Sequence, residues 1–289
     1  MGYKFAIIKR EMKDEQIERI TLCNSITENA FQDLYWLISS ETLSKAFLPE
    51  FHYPLNNQTN LIEQINQLPI TCISNLNTKQ RLGKYAEQLI EIYLEQIDNK
   101  QIIGKNIQLI EEKKTIGEID FLIQSNSEDF IHLEFALKYY VKIVRNETVS
   151  YIGPNMNDNW LNKIKKLKNH QIQLTDKYTA LLPLAFQKIK FQKRILVLGQ
   201  IFDYNQLNQT NWAIPIKGLS QLNEFATYFT IMPNRLNWIF PFREEHELIT
   251  FSELKNKLKH IGENAVMVCC YDKNKSPISW GFIMYKFIV

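Results

Sequence analysis

Two nearby stretches alternate apolar and polar residues with period two: Gly117-Glu118-Ile119-Asp120-Phe121-Leu122-Ile123 and Ile131-His132-Leu133-Glu134-Phe135-Ala136-Leu137-Lys138. This period sends successive side chains to opposite faces of a β-strand. In the second stretch Leu133, Phe135 and Leu137 share one face, and His132, Glu134, Ala136 and Lys138 share the other. In the first, Ile119, Phe121 and Ile123 oppose Glu118 and Asp120. The link from Gln124 to Asp129 is short enough for a hairpin, so the two polar faces are expected side by side.

Helical spacing dominates before this hairpin. Residues 13–77 read as mostly helical, with Phe31-Gln32-Asp33-Leu34-Tyr35-Trp36-Leu37-Ile38 ended by Ser39-Ser40. Pro49, Pro54 and Asn56-Asn57 mark a loop, another helix is expected from near Asn60, and Pro69 interrupts again. Thr78 is the expected N-cap of a helix over Lys79–Asp98, with Leu82, Ala86, Leu89, Tyr93 and Ile97 as its apolar stripe. Glu87 falls at the margin of that stripe, where it either reaches the strand face or is solvated. Gly83, one turn earlier, allows close approach.

Asn106–Glu111 reads as a first strand, ahead of the hairpin. After the turn Gly153-Pro154-Asn155, Asp158 can cap a helix reaching about Lys177, with an inward stripe of Trp160, Ile164, Leu167, Gln171 and Leu174. Gln171 replaces an apolar residue there, so it points at a polar site or caps backbone groups. Lys193–Phe202 is an apolar run suited to a buried strand. The order is α-β-β-β-α-β. Beyond Tyr204 the texture changes, with tryptophans and prolines punctuating short segments. Phe251–His260 reads as a helix, and Ala265–Tyr271 and Ile278–Phe287 as strands. The expected division is an N-terminal helical cap (1–78), an α/β core with a mixed sheet (79–204) and a C-terminal α+β subdomain (205–289).

Composition adds limits. A chain of 289 residues, 45% hydrophobic, can bury a sizeable core. No apolar run approaches the roughly 18 residues of a membrane helix. The start, Met1 to Arg10, has too short an apolar core for a signal peptide, and Ala6 stands where myristoylation wants Ser or Thr. Cys23, Cys72, Cys269 and Cys270 form no CxxC pair and read as buried free thiols, which implies a cytoplasmic setting. Five histidines without HxxxH spacing argue against zinc. The net charge of +3 hides an asymmetry: from Lys138 to Arg194 there are twelve Lys or Arg against three acids. A +9 segment suits a polyanion, or is the solvated face of a helix such as Lys163-Ile164-Lys165-Lys166-Leu167-Lys168.

Asp120, Glu134 and Lys138 on one sheet face can hold a divalent cation and stabilise charge at a phosphate. The competing reading is a half-exposed hairpin with a charged, solvated face.

The element order resembles the core of the PD-(D/E)XK superfamily, which includes restriction-endonuclease-like enzymes. That resemblance implies Mg²⁺ (or Mn²⁺) on Asp120 and Glu134, with Glu87 assisting from the first helix. It also implies lysine two residues after the glutamate, and here that residue is Ala136. Lys138 keeps the face but lies one step further, about 13 Å from Glu134 along the strand rather than about 6.6 Å. Its flexible stem can bring the ammonium back; otherwise Lys84 or Gln171 substitutes, or the site binds without cutting. Gln173 and Tyr178 are one residue too far apart for the QxxxY pattern of some branches.

A second likeness covers nearly the whole chain. It rests on Asp33–Ser40, Arg81-Leu82-Gly83-Lys84-Tyr85-Ala86-Glu87, Gly117–Leu122, Leu133–Tyr140 and Tyr151-Ile152-Gly153-Pro154. Lys163, Leu167, His170-Gln171 and Asn234–Pro241 extend it. These stretches resemble the uncharacterised bacterial family named domain of unknown function 1853.

Together these features lead to the expectation of a Mg²⁺-dependent nuclease acting on DNA or RNA. Glu87, Asp120, Glu134 and Lys138 would be catalytic, and Lys163, Lys165, Lys166, Lys168 and Gln171 would contact nucleic acid. The alternative is a catalytically inactive nucleic-acid-binding or scaffolding protein on the same fold. No GxSxG, Walker motif or Cys/His pair supports another hydrolase. No membrane partner is expected, and the sequence does not set an oligomeric state.

Overall fold

The computed structural model describes residues 12–55 and 60–286. The N-terminal run to Arg10, the Asn56-Asn57 pair and Phe287 lie outside them. The helices are α1 Asp14–Asn24, α2 Asn29–Ile38, α3 Leu43–Phe47, α4 Leu61–Asn66, α5 Leu82–Ile92, α6 Trp160–Asn169, α7 Leu174–Lys177 and α8 Phe251–Leu258. The strands are β1 Gln101–Glu111, β2 Lys114–Gln124, β3 Phe130–Arg145, β4 Thr148–Ile152, β5 Gln192–Tyr204, β6 Asn211–Pro215, β7 Tyr228–Met232, β8 Val266–Tyr271 and β9 Pro277–Met284. The fold is mixed α/β. The pairs β1–β2, β2–β3, β3–β4, β7–β8 and β8–β9 are antiparallel, whereas β5–β6 and β6–β9 are parallel.

The chain divides into two compact units. One comprises Ile26–Lys138 and Trp160–Gln200, and every candidate site residue belongs to it. In it, α2 is buried along its apolar run, and its single acid, Asp33, is 3% exposed. That burial is satisfied by the Tyr85 hydroxyl, which donates to Asp33 at 3.0 Å and ties α2 to α5. Of the predicted stripe, Ala86, Leu89, Tyr93 and Ile97 are buried and Leu82 is half-buried; α5 passes into a π-helical turn over Tyr93–Ile97. It starts later than expected: Arg81 occupies the N-cap without a side-chain cap, and Thr78 precedes the helix. A Cβ on Gly83 would meet nothing within 4 Å, so no close approach occurs there.

Strand β1 begins at Gln101, five residues before the expected Asn106, and turns into β2 through Glu112 and Lys113, both at positive φ. Two left-handed residues suit the right-handed twist of a tight hairpin. The β2–β3 hairpin forms as the alternation predicts, paired from Phe121↔Leu133 to Gln124↔Phe130. The core between sheet and helices holds Leu109, Ile119, Leu122, Leu174, Leu182 and Phe191.

Strand β5 lies beside β3. Gly199 sits at φ +127°, and a Cβ there would stand 1.7 Å from the Lys138 carbonyl oxygen. Only glycine permits that approach. The helix expected to reach Lys177 stops at Asn169. His170 leaves helical geometry (φ −127°, ψ −68°), and a 3₁₀ turn, Gln171–Gln173, leads into α7.

The other unit takes the N-terminal stretch to Ser25, Tyr139–Asn159 and the chain from Ile201. Its core includes Trp212, Leu222, Phe229, Leu254, Val268 and Ile283. Thr250 and Glu253 form a capping box on α8. Strand β4, absent from the sequence reading, pairs with the far end of β3 from Val141↔Ile152 to Arg145↔Thr148. All four cysteines are free thiols: Cys23, Cys269 and Cys270 are buried, and Cys72 is half-buried. No helix among the described residues is long and apolar enough to cross a membrane.

Candidate functional site

The β2–β3 ladder stops at Phe121↔Leu133, one residue before Asp120 and Glu134 would face each other. Beyond it a side chain replaces the strand: the Phe135 N–H donates to Asp120 Oδ2 at 2.9 Å. Glu134 is fully buried, at 0% exposure, and both its oxygens are engaged. Oε1 lies 2.9 Å from His132 Nε2, and Oε2 accepts from Gln171 Nε2 at 2.9 Å. His132 in turn reaches Thr175 Oγ1 through Nδ1 at 3.1 Å. The polar face of β3 is therefore covered at His132 and Glu134 by the turn Gln171–Gln173 and α7, while Lys138 and, on β2, Glu118 and Asp120 stay half-buried.

Burial, then the neighbouring Glu134, pushes the Asp120 carboxyl up to about 8, opposed by the Phe135 N–H. Burial likewise pushes Glu134 up to about 8 against the pull of Lys163. Burial lowers His132 to about 4. With the imidazole neutral near pH 7, the His132–Glu134 contact is a hydrogen bond rather than an ion pair. Which ring nitrogen carries the proton sets the donor in the contacts to Glu134 and Thr175.

The lysines divide by environment. Lys84 on α5 donates to Glu87 Oε1 (3.1 Å), Glu118 Oε1 (2.9 Å) and Asn106 Oδ1 (2.8 Å), using all three of its N–H groups. Burial lowers its pKa, but the hydrogen bonds to Glu118 and Glu87 outweigh that and raise it overall. Glu87 is 12% exposed, so it is neither solvated nor alone. Lys138 is half-buried, two residues beyond Ala136. Lys163 on α6 is also half-buried and donates to Gln171 Oε1 at 3.2 Å. Burial and the nearby Lys138 lower its pKa, while Asp120 and Glu134 raise it. Lys165, Lys166 and Lys168 are exposed on the same helix, and Lys168 pairs with Glu50 at 2.6 Å.

Asp120, Glu134, Glu87, Lys163 and Gln171 therefore converge on one region, whereas Lys165, Lys166 and Lys168 face solvent. Within the +9 segment, Lys142 and Arg145 belong to the other unit. Sequence spacing alone assigns no role to His132 or Thr175. The signal for His132 was present, because it precedes Glu134 by two residues on one strand face.

Among the described residues, no three His, Cys, Asp or Glu side chains are grouped to hold a metal ion. The donor types still fit Mg²⁺, which is commonly held by one or two carboxylates, with water and phosphate oxygens completing its shell. Asp120 Oδ1 accepts no hydrogen bond among the described residues, and each carboxylate oxygen can accept twice.

The chain matches the family described as "Domain of unknown function (DUF1853)" over residues 32–276, and it belongs to that family. No curated protein and no solved structure matches it.

Proposed function

We propose that this chain is a divalent-metal-dependent phosphodiester hydrolase acting on nucleic acid, with α5, β1, β2, β3, α6 and β5 as a restriction-endonuclease-like core. The observation that carries this reading is the convergence of Asp120 and Glu134, on adjacent strands, with the cations Lys84 and Lys163. Asp120 and Glu134 would hold Mg²⁺ or Mn²⁺, which when bound polarises a phosphodiester and acidifies water. Glu87 would assist at the margin, and Lys138 lies close enough to Lys163 to add positive charge. Hydrolysis joins a water oxygen to phosphorus and breaks one P–O bond, giving a phosphomonoester and an alcohol. The water's proton leaves to solvent, and the departing oxygen takes one up.

A second reading, a catalytically inactive nucleic-acid-binding module, is favoured by one observation. Glu134 is wholly buried with both oxygens hydrogen-bonded.

The test compares wild type and Asp120→Asn for melting temperature with Mg²⁺ or Mn²⁺ and for cutting of labelled DNA and RNA. The hydrolase reading expects metal stabilisation and cutting in wild type and neither in the variant. Oligonucleotide binding without metal stabilisation or cutting selects the second reading.

A further inference from the structure

We propose that Lys163 supplies the cation that contacts the substrate phosphate in this site, and that Gln171 is the residue that positions it. The inference rests on the phosphodiester reading above and assigns a role that the residue spacing gave to Lys138.

Lys163 carries a charge that no ion pair among the described residues compensates. Lys163 is half-buried, so its ammonium has lost part of its hydration. Its single hydrogen bond among the described residues is to a neutral amide oxygen, Gln171 Oε1 at 3.2 Å, and it forms no ion pair among them. Two N–H donors remain open. Its neighbours include the cations Lys138 and Lys166 as well as Asp120 and Glu134. Buried ammonium groups are normally paired. A partly desolvated lysine beside other lysines, held by one neutral partner, is suited to an anion that arrives from outside.

Geometry places that anion at the carboxyl pair. One amide group links Lys163 Nζ to Glu134 Oε2, through contacts of 3.2 and 2.9 Å. The other candidates are less well placed. Lys84 has all three donors engaged. Residue 136, where the superfamily pattern expects lysine, is Ala136, and Lys138 lies a further strand step along. Lys163 would stay protonated through hydrolysis and lower the charge on the non-bridging oxygens as the water oxygen joins phosphorus.

The experiment uses the full chain and the variants Lys163→Ala, Lys163→Gln, Gln171→Ala and Lys138→Ala. Loss of one transition-state donor should lower kcat about 10²-fold or more in both Lys163 variants, with KM little changed. Added methylammonium should restore cutting by Lys163→Ala. Mn²⁺ should stabilise Lys163→Ala as it does wild type, because lysine is no ligand. Without metal, inorganic phosphate should raise the melting temperature of wild type and Lys138→Ala, and not of either Lys163 variant. Gln171→Ala should fall between, about tenfold down. If both Lys163 variants cut within threefold of wild type while Lys138→Ala loses a hundredfold, the lysine assignment falls and the hydrolase reading stands. If wild type binds Mn²⁺ but does not cut, equal phosphate stabilisation with and without Lys163 overturns the assignment, and its loss in the Lys163 variants supports it. If wild type neither cuts nor responds to Mn²⁺, both ideas fall.

Discussion

The amide of Gln171 stands between Lys163 and Glu134, accepting from the ammonium at one end and donating to the carboxyl at the other. Reversing it would turn its N–H toward an ammonium, so electrostatics fix its orientation. The turn after α6 thereby fastens to β3 at Glu134.

Gln171→Leu should strip both contacts while keeping similar bulk. A buried acceptor on Glu134 and a half-buried ammonium would lose their partner, at a cost of about 1–3 kcal/mol. Urea unfolding of the two proteins measures this, and an unchanged midpoint would contradict it.

Metal-free stability should fall as pH rises toward 8. The Asp120 and Glu134 carboxyls go from ordinary values of 3.8 and 4.5 to about 8 in the fold. The folded state then keeps protons that the unfolded chain has released. The stabilisation is complete below the unfolded values and is lost as pH climbs through about 8. His132 acts oppositely: lowered from 6.5 to about 4, it costs stability as pH falls from 6.5 toward 4. Between about pH 6.5 and 8 the two carboxyls therefore act without it. In EDTA, melting temperature should decline across that window in wild type and decline less in Asp120→Asn. A flat wild-type profile would count against the raised carboxyls.

If the chain binds nucleic acid, Lys165 and Lys166 are the exposed cations of α6 free of ion pairs among the described residues, whereas Lys168 is engaged by Glu50. Reversing both to Glu should reduce the slope of log affinity against log salt by roughly one for each lost phosphate contact. Folding stability should stay within about 0.5 kcal/mol of wild type. Titration of a labelled oligonucleotide at several salt concentrations reads the slope, and an unchanged slope removes this surface.

Gly199→Ala should be severe. The added methyl would stand 1.7 Å from the Lys138 carbonyl oxygen, at a backbone angle that side chains rarely adopt. A loss of about 3 kcal/mol or more is expected, with β3 and β5 forced apart. Calorimetry or soluble yield tests this, and wild-type behaviour would show that the strands can shift.

Period-two alternation carried the hairpin, its link and the shared face of Asp120 and Glu134, because strand geometry maps directly onto sequence spacing. It did not carry burial. A polar face reads as solvated until the covering element is known, and the cover here begins where His170 breaks the helix. Gln171 was legible as an anomaly because an amide stood in an apolar stripe, but not which groups it would join. Thr78 looked like a cap from residue type alone, whereas the helix begins at Leu82 without one. Strand β4 is short and half exposed, and pairing with β3 makes it a strand rather than any internal pattern.

The bond between Asp120 and the Phe135 N–H has a further use. That amide proton depends on a carboxyl group, just past the point where β3 pairs with β2. Whatever draws Asp120 aside, whether a cation or an exchanged side chain, unlatches a backbone proton one residue from Glu134. Its rate of replacement by deuterium would report on the occupancy of the site without substrate or dye.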